Sequence, residues 1–81
     1  MHIGLNIKKI REKKGLMQKE VAKIAGMYLA NYNKVEKRER EPSIDALDKI
    51  ARSFGLTIDN ILHYEGDLPK EITIEEILQK I

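Results

Sequence analysis

The 81-residue sequence predicts an all-α fold of five short helices with a brief C-terminal strand or helix extension. Three observations carry that expectation. Apolar residues recur at spacings of three and four along nearly the whole chain. Gly15, Gly26 and Gly55 fall where those periodic runs end, as helix-stopping residues do. Ser43 and Thr57 stand immediately before two of the runs, where their hydroxyls can accept from exposed backbone N–H groups.

The first helix is expected over "LNIKKIREKK", with Ile7 and Ile10 turned inward and Gly15 as its stop. The second begins near Gln18, buries Val21, Ala22 and Ala25 with Ile24 alongside, and ends at Gly26. Met17 precedes it where Ser or Thr would be usual, a substitution that weakens a helix start by about 1 kcal/mol. The third runs from about Leu29 to Lys37 with Tyr32 and Val35 inward, and Tyr28 at its N-cap. "REREP" connects it to a fourth helix capped by Ser43, whose inner face is Leu47, Ile50, Ala51 and Phe54 at i, i+3, i+4 and i+7. Thr57 caps a short fifth helix, with Leu56 and Ile61 placed as a hydrophobic staple. Residues 63–70 form a linker. In the last segment, 71–81, Glu71 to Ile74 suits a short strand, and Thr73 with Glu76 reads as a capping box for a final helix.

Composition narrows the chemistry. A chain this short buries about 60% of its unfolded surface, too little for a large catalytic cleft. Cysteine is absent, which excludes disulfides and thiolate metal sites. His2 and His63 are isolated, and Ser43 and Ser53 have no base at useful spacing, so neither a metal site nor an enzyme is expected. No apolar run approaches the roughly 18 residues of a membrane span, and the N-terminus lacks a signal-peptide core. The expected setting is therefore the cytoplasm. The net charge of +2 conceals an asymmetry: eleven basic residues face four acidic ones up to Arg40, and four face nine from Glu41 onward. A basic half of this kind suits a polyanion, although ordinary solvated surface would look the same.

Gln18 to Lys37 follows the helix-turn-helix pattern. Two short helices crossing steeply need a tight turn, which Gly26 supplies. They also need a small residue at closest approach, which is Ala22. A plain αα-corner satisfies the same pattern. The surrounding residues add specificity: Arg11 four positions before Gly15, Gly-Leu-x-Gln at 15–18, Glu36 at the end of the third helix, Pro42-Ser43, and Ile50-Ala51 before Phe54-Gly55. Together these resemble the Cro/phage-repressor, or XRE-type, helix-turn-helix domain over 3–62, about three-quarters of the chain.

The resemblance implies a five-helix lambda-repressor-like fold that binds double-stranded DNA, usually as a dimer on a two-fold-related operator, without a cofactor. It implies that Gln18 caps onto a phosphate, that Arg11 and Glu36 tie the first helix to the end of the third, and that Lys37, Arg38 and Arg40 run beside the DNA backbone. Tyr28, Leu29, Ala30, Asn31, Asn33 and Lys34 complete the expected DNA-binding set. Asn33 suits adenine and Lys34 suits guanine. Leu29 and Ala30 depart from the family, which usually has polar residues there. Apolar contact with a thymine methyl and an exposed spot for a protein partner are both open. For Tyr28, a phosphate contact and simple cover for the turn are likewise open.

The expected function is sequence-specific transcriptional regulation, as a dimeric repressor acting by occlusion at the nucleoid. A toxin-binding antitoxin or a restriction–modification controller is the alternative within the class. A degenerate helix-turn-helix used only for protein interaction is the alternative outside it. In the tail, Ile74, Ile77, Leu78 and Ile81 make one apolar stripe. So short a helix must dock on its own domain, dock on a second subunit or stay unfolded. Joining two subunits is the reading adopted. Deleting everything after Pro69 is then expected to leave a folded monomer by analytical ultracentrifugation. A truncation that stays dimeric at micromolar concentration would place the interface elsewhere.

Overall fold

The computed structural model describes residues 3–66. Its helices are α1 (Ile3–Lys13), α2 (Gln18–Ile24), α3 (Leu29–Glu36), α4 (Ile44–Ser53) and α5 (Ile58–Leu62), with no strand among the described residues. His2, the linker beyond Gly66, and the 71–81 segment with Ile74, Ile77, Leu78 and Ile81 lie outside the described residues.

The periodic apolar positions converge on one core. Ile7 and Ile10 from α1, Val21 and Ala22 from α2, Tyr32 and Val35 from α3, Leu47, Ile50 and Ala51 from α4, and Ile61 from α5 are all buried, as are Ala25 and Phe54 at helix ends. α2 packs on α3 and α4, α1 on α3 and α5, and α4 on α5. The side chain of Asn6 donates to the Ile61 carbonyl at 2.9 Å, fastening α1 to α5.

Ile24 departs from the expected packing. It is 57% exposed, because Val21, Ala22 and Ala25 already fill the arc of α2 that meets the core. Helix ends follow local chemistry closely. The Ser43 hydroxyl accepts from the Ala46 N–H at 3.1 Å. Thr57 and Asn60 satisfy each other's backbone N–H groups at 3.1 and 3.0 Å, so Asn60 does what Glu or Gln does in the usual capping box. Met17 gives α2 no side-chain cap. Glu20 compensates in part by accepting from the Met17 N–H at 3.1 Å.

Two glycines set the helix geometry. Gly26 has φ +66°, the left-handed turn between α2 and α3. Gly4, in the first turn of α1, has a different role: a β-carbon there would overlap the Val35 carbonyl oxygen of α3. The backbones of α1 and α3 touch at that point, and a rigid carbonyl cannot step aside as a flexible side chain can. Helix propensity alone favours Gly4→Ala by about 0.5–1 kcal/mol. The overlap reverses that sign, and forced separation of packed elements typically costs about 1–3 kcal/mol. Gly4→Ala is therefore expected to lower the thermal midpoint. An unchanged or raised midpoint would mean that α1 and α3 do not approach this closely.

Candidate nucleic-acid interface

α2 and α3 pack against each other across the turn at Gly26. Ala22 is buried at the crossing, and Tyr32 and Val35 turn α3 into the core. The opposite side of α3 is left to solvent. Leu29, Ala30, Lys34 and the C-cap residue Lys37 are exposed, and Asn31 and Asn33 are half-buried on its flanks. Tyr28, the N-cap residue, makes no side-chain cap and is 83% exposed.

Beneath this face runs a continuous hydrogen-bonded chain. Arg11 meets Glu36 through two donors, Nε to Oε2 at 2.7 Å and Nη2 to Oε1 at 3.1 Å. Its Nη1 donates to the Leu16 carbonyl at 2.8 Å, which fixes the α1–α2 loop. Gln18 Nε2 donates to Glu36 Oε1 at 3.0 Å, and Gln18 Oε1 accepts from Asn33 Nδ2 at 3.1 Å. Both named members of the Arg11–Glu36 pair thus stand together. Gln18 and Asn33, each expected to face DNA independently, are joined to them and to each other. Sequence reasoning missed this link, and no spacing signal could have exposed it.

Burial pushes the Glu36 carboxyl up, but hydrogen bonds from Arg11 and Gln18, with the nearby Tyr32 hydroxyl, outweigh it and hold the group below the usual glutamate range. The hydrogen bond to Glu36 raises Arg11 against the opposing effect of burial. Tyr32 is fully buried, and desolvation drives its hydroxyl upward. That hydroxyl makes no hydrogen bond of standard geometry, yet it lies near enough to Glu36 and Arg11 for their charges to act on it.

The segment after α3 closes in a Schellman arrangement: the Glu39 N–H donates to the Lys34 carbonyl at 2.9 Å, and the Arg38 N–H to the Val35 carbonyl at 3.1 Å. The left-handed position is usually Gly; here it is Arg38, at φ +62°. A cation therefore occupies a site where backbone preference favours a residue without a β-carbon. Arg40 Nη1 donates to Asn31 Oδ1 at 3.2 Å, bracing the loop against α3. Between them lies an open groove of about 510 Å³, bounded by Gly26, Met27 and Tyr28 on one side and Pro42, Ser43 and Ala46 on the other. No group of three or more potential metal-ligating side chains occurs among the described residues, and none of their helices is long and apolar enough to cross a membrane.

A family model described as Helix-turn-helix matches residues 7–61. No curated protein matches the chain in sequence. Among solved structures, it is similar to the N-terminal DNA binding domain of SinR from Bacillus subtilis. The identity is 28% and the TM-score 0.72, over 83% of this chain and 100% of that one. It is also similar to the DNA-binding domain of the P22 c2 repressor, at 20% identity and TM-score 0.75, over 84% and 90% of the two chains. A third similarity is to the restriction-modification controller protein C.AhdI from Aeromonas hydrophila, at 23% identity and TM-score 0.71, over 74% and 91%. At the identities of the last two, the likeness is one of fold.

The clamp under α3 has a measurable energetic signature. The Glu36 side chain is 2% exposed and that of Arg11 13%. Glu36→Ala therefore leaves a largely buried guanidinium without its counter-charge, at an expected cost of about 3–5 kcal/mol. Because Glu36 binds a proton less readily when folded, its contribution is complete above the unfolded value near about 4.3. It is lost as the pH falls through the lower folded value. Melts of wild type and Glu36→Gln across that acid range should differ in slope, the variant losing this part of the acid destabilisation. Parallel slopes would show that Glu36 titrates as an ordinary surface carboxylate.

Proposed function

The chain belongs to the XRE-type helix-turn-helix family, and from that premise we propose that it binds double-stranded DNA sequence-specifically and regulates transcription, as a repressor acting by occlusion. The observation that carries this reading is the exposed face of α3, where Leu29, Ala30 and Lys34 lie beside Asn33, followed directly by the cationic segment Lys37, Arg38 and Arg40. A helix presented in this way fits the major groove, which is wide enough to admit one. Lys34 then donates to guanine, Leu29 and Ala30 pack on thymine methyls, and the loop cations lie along phosphates. Gln18 and Tyr28 stand at the near ends of α2 and α3, within the same footprint.

Charge placement supports the assignment. On α4, Lys49 and Arg52 are matched one turn away by Asp45 and Asp48 at 3.2 and 3.0 Å. The chain's positive surplus lies before Glu41, in the part that holds α1, α2, α3 and the loop. In this reading residues 3–62 are the DNA-binding unit, 63–70 a linker and 71–81 the contact between two subunits. A homodimer then presents two α3 helices about 34–36 Å apart, one DNA turn, to a palindromic operator.

Binding is expected to be steeply salt-dependent. If each subunit neutralises about three or four phosphates, affinity falls roughly a thousandfold between about 50 and 200 mM salt. Replacing Lys37, Arg38 and Arg40 together by Ala should flatten that slope and weaken all DNA sequences alike. A wild-type slope near zero in an electrophoretic mobility-shift series would falsify the DNA-binding reading.

A further inference from the structure

The hydrogen-bonded chain under α3 has a direction. Arg11 carries only donors, and ionised Glu36 carries only acceptors. Gln18 must therefore turn its NH2 toward Glu36, as it does at 3.0 Å. The reverse orientation would set the Gln18 carbonyl oxygen against the carboxylate. Gln18 Oε1 is then left facing Asn33, which must in turn present its own NH2, as it does at 3.1 Å. Each carboxamide has two possible orientations in isolation, and each loses that choice to its neighbour. The end of the chain is Asn33, half-exposed on the flank of the open face of α3. It keeps its Oδ1 and one Nδ2 hydrogen for an outside partner.

One acceptor beside one donor matches a single purine edge. Adenine offers N7 as acceptor and N6 as donor, whereas guanine offers two acceptors, N7 and O6. Against guanine, Asn33 would satisfy one acceptor and set its own oxygen against the other. We infer that Glu36, acting through Gln18, fixes the amide orientation of Asn33 and so selects adenine over guanine at one base pair, a role that rests on the DNA-binding reading above. Gln18 and Glu36 are positioning residues in this scheme, and Asn33 is the residue that touches the base.

The test is selection on random duplex DNA by the full chain and its variants. Asn33→Ala locates the base pair, as the position whose preference disappears. At that position wild type should favour adenine over guanine by about tenfold or more, the usual discrimination of a bidentate contact. Gln18→Ala releases the Asn33 amide, and the adenine-to-guanine ratio should fall severalfold at that position while preferences read by Lys34 persist. Glu36→Gln places an amide where the carboxylate stood, so Gln18 can reverse and Asn33 can offer both N–H groups; guanine should rise there. Circular dichroism confirms that each protein is folded at the selection temperature. Gln18→Ala, at a half-exposed position, carries the test if Glu36→Gln does not fold. A ratio in Gln18→Ala within about twofold of wild type overturns the inference and leaves DNA binding intact, as does a wild-type preference for guanine at that position. Failure of wild type to enrich any sequence overturns both readings.

Discussion

Glu36 is the one charged residue buried among the described residues, and a buried carboxylate must be met by donors or lose its charge. Its donors come from two places, Arg11 on α1 and Gln18 at the start of α2, while Glu36 itself ends α3. Meeting that single requirement fixes three helices relative to one another. The same guanidinium also holds the Leu16 carbonyl, so the loop entering α2 is set by the interaction that sets α3. A hydrophobic substitute for both partners would satisfy burial equally well. It would not impose the directional constraint that reaches Gln18 and Asn33.

The rest of the core accommodates this clamp by volume. Tyr32 is large and Ala25 small, and both are buried, at 0% and 3% exposure. The large ring brings a hydroxyl into the interior, and that hydroxyl finds no hydrogen bond of standard geometry. Leaving such a group unmatched costs about 1–3 kcal/mol. The neighbouring charges of Arg11 and Glu36 act on it in opposite senses. Close backbone approach at Gly4 and the small, buried Ala22 let α1, α2 and α3 come together in the core that holds the ring.

These constraints leave the exposed side of α3 unusually plain. Its exposed positions hold Leu29 and Ala30, and Lys34 is the one unshared polar head among the residues expected to read bases; Asn33 is already half committed to Gln18. Specificity on such a face depends on few groups, so the orientation of each matters more. Arg38 shows a related compromise. It holds a left-handed conformation that glycine would adopt more easily, in the segment where cations are proposed to meet phosphates.

How much of this was legible in the sequence divides along a physical line. Helix spans, the Ser43 and Thr57 caps and the inward positions from Ile7 to Ile61 are set by interactions within one or two turns, and a linear reading recovers them. The helix-turn-helix pattern was legible for the same reason, since Ala22 and Gly26 are fixed by one tight turn. Arg11 and Glu36 were nameable together only through resemblance, because they are 25 residues apart. The links of Gln18 to Glu36 and to Asn33 span 18 and 15 residues, and the backbone contact of Gly4 with Val35 spans more than thirty. Sequence by itself determined which faces of the helices are apolar and where each helix stops, because those are local free-energy choices. Only the tertiary structure decided that Ile24 stays in solvent and that Gly4 is a contact point. It also decided that two amides expected to act separately share one hydrogen-bond chain, because helix crossing brings together groups whose separation along the chain carries no periodic trace.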